Sequence, residues 1–74
     1  MDALEFRLRD EYVALCDLLK LSGIADSSGQ GKHLIATGEV TVDGQPESRK
    51  TAKIRANQTV QCLGQTVRVV VDQA

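Results

Sequence analysis

The chain has 74 residues, a single His, two Cys and a formal net charge of −1. At about half the usual domain length it is expected to form one domain over residues 1–74, which excludes a multi-domain enzyme with a deep cofactor cleft. Leu, Ile, Val and Phe number 20, well above the content of disordered chains, and no apolar run approaches the ~18–20 residues that span a bilayer.

A thin core follows from the length, since a domain this short buries only roughly 60–65% of its unfolded surface. Met1 to Asp10 lacks the continuous apolar stretch of a secretory signal, so a cytoplasmic location is expected. From Ala3 to Arg9, Leu4, Phe6 and Leu8 alternate with charged neighbours. Period-two spacing predicts an N-terminal strand with one wet side. Asp10-Glu11 then puts negative charge where a helix could begin, and the apolar positions 12, 15, 16, 18 and 19 predict a helix over Tyr12 to Leu21. Gly23 terminates it, with Lys20 in the last turn.

Ser27 followed three residues later by Gln30 is a capping-box pattern that starts a second helix. Leu34, Ile35 and Gly31 are expected to face inward, and Gly38 stops the helix. Gly29 and Gly31 cost up to ~1 kcal/mol each relative to alanine, so packing must hold the helix or something must approach closely there. Val40-Thr41-Val42 is a short strand, and Asp43-Gly44 a strong hairpin turn. Pro46 limits the returning strand because it cannot donate to a ladder. A basic loop follows. Thr59 to Leu63 and Thr66 to Val71 read as strands joined by Gly64-Gln65 in a II′ turn, with Val60, Cys62, Val67, Val69 and Val71 on one face. The expected architecture is α+β, with two short helices packed on one face of a small, mostly antiparallel sheet.

Charge is unevenly divided. Residues 1–48 carry 4 Lys/Arg and 9 Asp/Glu, whereas residues 49–74 carry 5 and 1. Four of those bases, Arg49, Lys50, Lys53 and Arg55, fall in one stretch without an acid. Clustered charge on a near-neutral chain points to an anionic partner at one place, although a solvated basic loop has the same pattern. The start of the second helix offers a further anion site. Free backbone N–H groups around Ser28, Gly29 and Gln30 carry a partial positive charge, and Lys32 stands one turn in.

Catalysis and metal binding are not supported by the residue inventory. His33 is the only His and has no paired nucleophile. Cys16 and Cys62 form no C-x-x-C motif and cannot supply a four-ligand zinc site, so both are expected as reduced, buried thiols. No phosphate-binding G-x-x-x-x-G-K-[ST] loop is present. No catalytic residue, cofactor, metal or small-molecule substrate is expected.

Leu15-x-x-Leu18-Leu19, Gly23, Ile35 and Gly38-x-Val40-x-Val42-Asp43-Gly44 follow one another at characteristic separations. So do Leu19-Lys20-Leu21-Ser22-Gly23, Ser27-Ser28-Gly29-Gln30-Gly31-Lys32 and Val40-Thr41-Val42-Asp43-Gly44-Gln45-Pro46-Glu47-Ser48-Arg49-Lys50. This order resembles the RNA-binding domain named after the fourth protein of the small ribosomal subunit, from about Leu15 to Val60. It is more similar still to the short stand-alone bacterial members of that family, of YbcJ type. The resemblance implies an αL motif, two helices followed by a β-hairpin, that holds structured RNA, often ribosomal RNA, through basic side chains. By position, Lys20 matches the lysine of the family's L-K-L, Lys32 the basic residue after its alanine, and Arg49 and Lys50 its R-[RK] pair. Lys53 and Arg55 lie just beyond, where the subgroup is also basic. Ser28 stands where the wider family has arginine, Gly31 where it has alanine, and Asp43 where it has asparagine.

The reading is therefore a non-catalytic RNA-binding module, with Lys20, Ser28, Gln30, Lys32, Arg49, Lys50, Lys53 and Arg55 as site residues. It requires the region of Lys32 and the segment 49–55 to meet in one cationic surface free of carboxylates. Phosphate binding releases counterions, so four to six contacts predict a log–log salt slope of roughly −3 to −5. Tyr12 and Phe6, the only large aromatics, are expected in the core, leaving nothing on which unpaired bases could stack. Shape recognition of folded or double-stranded RNA is expected instead. The alternative is a protein-interaction adaptor that uses the basic loop or an exposed edge strand.

Overall fold

The computed structural model describes residues 4–71. Their order is β1 (Leu4–Leu8), β2 (Val13–Ala14), α1 (Leu15–Leu21), α2 (Ser28–Ala36), β3 (Val40–Val42), β4 (Gln45–Pro46), β5 (Lys53–Ile54), β6 (Thr59–Cys62) and β7 (Gln65–Val71). Five strands form one sheet in the order β1-β7-β6-β3-β4, and β2 and β5 form a separate two-stranded ladder. The pairs β3·β4, β3·β6, β6·β7 and β2·β5 are antiparallel, and β1 joins β7 in parallel. The architecture is thus two helices on a mostly antiparallel sheet, as the patterning predicts.

The core is made where alternate strand residues meet the helices. Val40, Val42, Val60, Cys62, Val67 and Val69 are buried from the sheet side. Leu15, Cys16, Leu18, Leu19, Leu34 and Ile35 come from the two helices, and Ala52 and Ile54 from the basic segment. Each large aliphatic chain buried in this way contributes about 1.5–3 kcal/mol, so the core outweighs the modest helix lengths. Burial of Ile54 and Ala52 has a second effect: it fixes the basic segment against the body instead of leaving it a free loop.

Ala3, where the first strand was expected to begin, lies outside the described residues. The sheet and the helices depart from the sequence pattern in three places. Residues 12–14 are not helical: Val13 pairs with Ile54 and Ala14 with Lys53, so α1 starts three residues later. The turn of the second hairpin is Leu63-Gly64, not Gly64-Gln65, because Cys62 pairs with Gln65. Both turn residues have positive φ, 53° and 79°, a type I′ geometry whose twist matches the flanking strands. Asp43-Gly44 has the same form, with φ of 52° and 82°. Finally, Val71 is 54% exposed although Val67 and Val69 are fully buried. It is the last residue of β7, paired with Leu8 at the end of β1.

Gly31 is the contact point between the helices. It is buried, and a Cβ built there would lie 2.8 Å from the Cys16 carbonyl oxygen. The glycine therefore admits the backbone of α1; the expected close approach is by the protein itself. Gly29, by contrast, would meet nothing nearer than the Ser27 hydroxyl at 3.8 Å.

Candidate nucleic-acid interface

The α1 N-terminus has no side-chain cap, which would leave its first N–H groups without partners. The basic segment supplies them. The Leu15 N–H donates to the Ala52 carbonyl at 2.9 Å, and the Cys16 N–H to the Lys50 carbonyl at 3.1 Å. The β2·β5 ladder continues this seam, so residues 50–54 run along the start of α1. On the other side of Cys16 lies Gly31, the residue before Lys32. Backbone contacts thus link Lys50 to Cys16 and Cys16 to the turn of α2 that carries Lys32.

Side chains on this seam are mostly in water. Lys20, Lys32, Arg49, Lys50, Lys53 and Arg55 are all exposed. Arg49, Thr51, Ala52 and Lys53 line a shallow open depression. Lys20 is the outlier, standing in the last turn of α1, about 6–7.5 Å along the helix from the Cys16 and Leu15 contacts at ~1.5 Å per residue.

The expected freedom from carboxylates does not hold at Arg49. Its Nε donates to Glu47 Oε2 at 3.1 Å, and its backbone N–H donates to the same oxygen at 3.0 Å. The Arg49 side chain and backbone hold the Glu47 carboxyl below the usual range, and Glu47 in turn raises the Arg49 guanidinium pKa. A surface ion pair of this kind is weak and yields to a better anion.

Ser28 and Gln30 are also engaged within the fold. The Ser28 hydroxyl donates to Asp17 Oδ1 at 2.9 Å. The Gln30 N–H donates to the Ser27 hydroxyl at 3.1 Å, which is the expected cap. The Gln30 side chain closes the box one residue early, accepting from the Asp26 N–H. The Asp17 carboxylate therefore already stands at the start of α2, where the sequence offered a free anion site.

Tyr12 is the residue that sequence reasoning misplaced. It is 41% exposed, while Phe6 is half-buried against the core. The β2·β5 register puts position 12 opposite Arg55, and alternation puts Lys53 on the same side of its strand. Lys53 Nζ lies 5.0 Å and Arg55 Cζ 5.9 Å from the Tyr12 ring centroid, both within cation–π range. The helical spacing of positions 12, 15, 16 and 19 concealed this; only the distant strand partner reveals it.

Asp43, which replaces the family's asparagine, is also structural. Its carboxylate accepts from the Thr59 N–H at 2.9 Å and from the Gln58 amide at 3.3 Å. Gln58 in turn accepts from the Arg55 N–H at 2.7 Å, tying the end of the basic segment to the hairpin. Among the described residues, no group of three or more His, Cys, Asp or Glu could hold a metal ion. None of the described helices is long and apolar enough to cross a membrane.

The two-helix and hairpin arrangement can be compared with known proteins. The model of the S4 domain matches residues 6–70. The chain belongs to the S4 domain family. YbcJ of Escherichia coli strain K12 is 54% identical over 59 residues, covering 80% of this S4 domain chain and 84% of YbcJ. The YbcJ protein of Shigella flexneri matches at the same identity and coverage. The solution structure of E. coli YbcJ, described as revealing an αL motif involved in RNA binding, superposes with a TM-score of 0.74 and 48% identity over 95% of this chain and 90% of that one. The ribosomal protein S4e from Thermoplasma acidophilum gives a TM-score of 0.59 at 26% identity, and this S4 domain spans 31% of its length.

Proposed function

We propose that this S4 domain is a non-catalytic, cytoplasmic RNA-binding module that grips structured RNA, ribosomal RNA in particular, through phosphate contacts. The observation that carries this reading is the seam on α1: Lys50 and Ala52 cap its N-terminus, and Gly31 packs on Cys16 beside Lys32. Elements far apart in sequence are packed around one residue, and their lysines and arginines are exposed. Lys32, Lys50, Lys53 and Arg55 form the centre of the proposed surface. Lys20 extends it, and Arg49 joins when RNA phosphate displaces Glu47. Ser28 and Gln30 act by holding the start of α2 in place beside it. The αL motif described for YbcJ and the likeness to a ribosomal protein support the choice of RNA as the anion.

Overall charge is compatible with this. The acidic residues of the first half repel phosphate and confine RNA to the seam. Forked contacts from arginine and point contacts from lysine fix position without reading sequence.

The test is fluorescence anisotropy with ribosomal RNA fragments across a salt series. Four to six contacts give a log–log slope of roughly −3 to −5. Replacing Lys32 and Lys50 together by alanine is expected to weaken every RNA alike and to flatten the slope by about 1.4–1.8, at ~0.7–0.9 per contact. Salt-independent binding, or a double variant with unchanged affinity and slope, refutes the reading.

A further inference from the structure

Phosphate contacts alone leave one feature of the surface unused. Tyr12 is an amphipathic ring, 41% exposed, at the edge of the cationic seam. A core role would have buried it. Its neighbours on β5, Lys53 and Arg55, hold their cations 5.0 Å and 5.9 Å from the ring centroid. Cations near a ring polarise its π-face and orient it, and the same two side chains carry the charge that a nucleotide's phosphate would meet. The other border of the ring is different. Asp10, Glu11, Tyr12, Val13, Ala14 and Asp17 line an open recess, whose three carboxylates repel phosphate. An RNA strand reaching Tyr12 is thus favoured on the Lys53 and Arg55 side, where the two cations pass from the ring face they now cover to the flanking phosphates and a base takes their place over the ring.

We infer that Tyr12 stacks on an unpaired nucleobase whose flanking phosphates are held by Lys53 and Arg55, so that the preferred RNA carries a bulged or terminal unpaired nucleotide beside its helix. This rests on the RNA-binding reading above and narrows it. Bases inside a duplex are stacked on both faces, so within a stem only an unpaired, extruded one can stack on a side chain. Such stacking tolerates any base, because each has a π-face.

The experiment compares two RNA hairpins of equal stem length closed by the same compact, internally stacked tetraloop, one with a fully paired stem and one whose stem carries a single bulged nucleotide. Tyr12 is the only tyrosine of the chain, so its ring resonances are identified in the spectrum without ambiguity. With the unaltered protein, stacking moves those resonances upfield on addition of the bulged hairpin and not of the paired one. In anisotropy at fixed salt, Tyr12→Leu is expected to weaken binding of the bulged hairpin by about tenfold. Tyr12→Phe should retain it, and the salt slope should stay the same. Equal ring shifts with both hairpins, or equal losses on both in Tyr12→Leu, would overturn the inference while leaving phosphate binding intact. Failure of the unaltered protein to bind either hairpin would overturn the RNA-binding reading and this inference with it. The spectroscopic comparison needs no variant, so a leucine variant that failed to fold would not obscure the result.

Discussion

Replacing Gly31 by alanine sets two known quantities against each other. Alanine is favoured over glycine inside a helix by up to about 1 kcal/mol. Against that, the new Cβ would lie 2.8 Å from the Cys16 carbonyl oxygen, 3.4 Å from its Cα and 3.5 Å from its carbonyl carbon. All three are backbone atoms of α1, so no rotamer change relieves the contact. Relief requires α2 to move away from α1 by several tenths of an ångström, loosening the packing of Leu34 and Ile35. Overpacking of this kind costs about 1–3 kcal/mol. The net expectation is a loss of about 1 kcal/mol, which for a chain of this size lowers Tm by about 4–8 °C. Gly29→Ala is the internal control, two residues away in the same helix, where a Cβ meets only the Ser27 hydroxyl at an ordinary contact distance of 3.8 Å. It should be neutral or slightly stabilising. Thermal and urea unfolding followed by far-ultraviolet circular dichroism measure both. A Gly31→Ala variant as stable as the unaltered chain, or more so, would refute the close approach of the helices at this residue.

Further perturbations address the surface and the core. Glu47→Gln removes the carboxylate that competes with phosphate for Arg49, so RNA affinity at low salt should rise several-fold, whereas Arg49→Ala should lower it and flatten the salt slope by about one contact's worth, ~0.7–0.9; an unchanged slope for Arg49→Ala in anisotropy would exclude Arg49 from the interface. Burial, and secondly Glu39, push the Cys62 thiol above its ordinary pKa. The folded chain therefore holds that proton more tightly than the unfolded one. Its contribution to stability is whole below about pH 8.5, the ordinary thiol value, and is lost as pH rises through the higher folded-state value. Urea midpoints measured from pH 7 to pH 10 should fall more steeply for the unaltered chain than for Cys62→Ala, and parallel slopes would contradict the assignment.

Local signals carried most of the fold. Asp43-Gly44 is legible because a two-residue hairpin needs positive φ at both positions, and Ser27 is legible as a cap because its hydroxyl replaces a missing backbone acceptor. The strand alternation from Val60 to Val69 places the core face correctly. The errors lie where a distant partner overrides a local pattern. Tyr12, Val13 and Ala14 fall in the predicted helix, yet Lys53 and Ile54, some 40 residues on, capture Val13 and Ala14 as a strand and so draw Tyr12 out of the helix. The same long-range pairing governs the site. The basic segment is visible in composition, but its docking on Cys16 is not, and neither is the exposure of Tyr12 that the docking creates. The Glu47 pairing of Arg49 was hidden for a different reason: two residues of opposite charge at short separation have no fixed geometry until the backbone between them is set.

The parallel seam between β1 and β7 places the most C-terminal of the described strands inside the sheet, flanked by the first strand on one side and β6 on the other. During synthesis, Leu4 to Leu8 leave the ribosome with no neighbour to join. They wait, with Phe6 and Leu8 uncovered, until Val67 to Val71 arrive. Closure of the sheet thus waits for β7 and joins two segments some 60 residues apart. A nascent chain stalled before residue 65 would present an open β6 flank and an orphaned apolar ribbon, which is the kind of species that holdase chaperones retain.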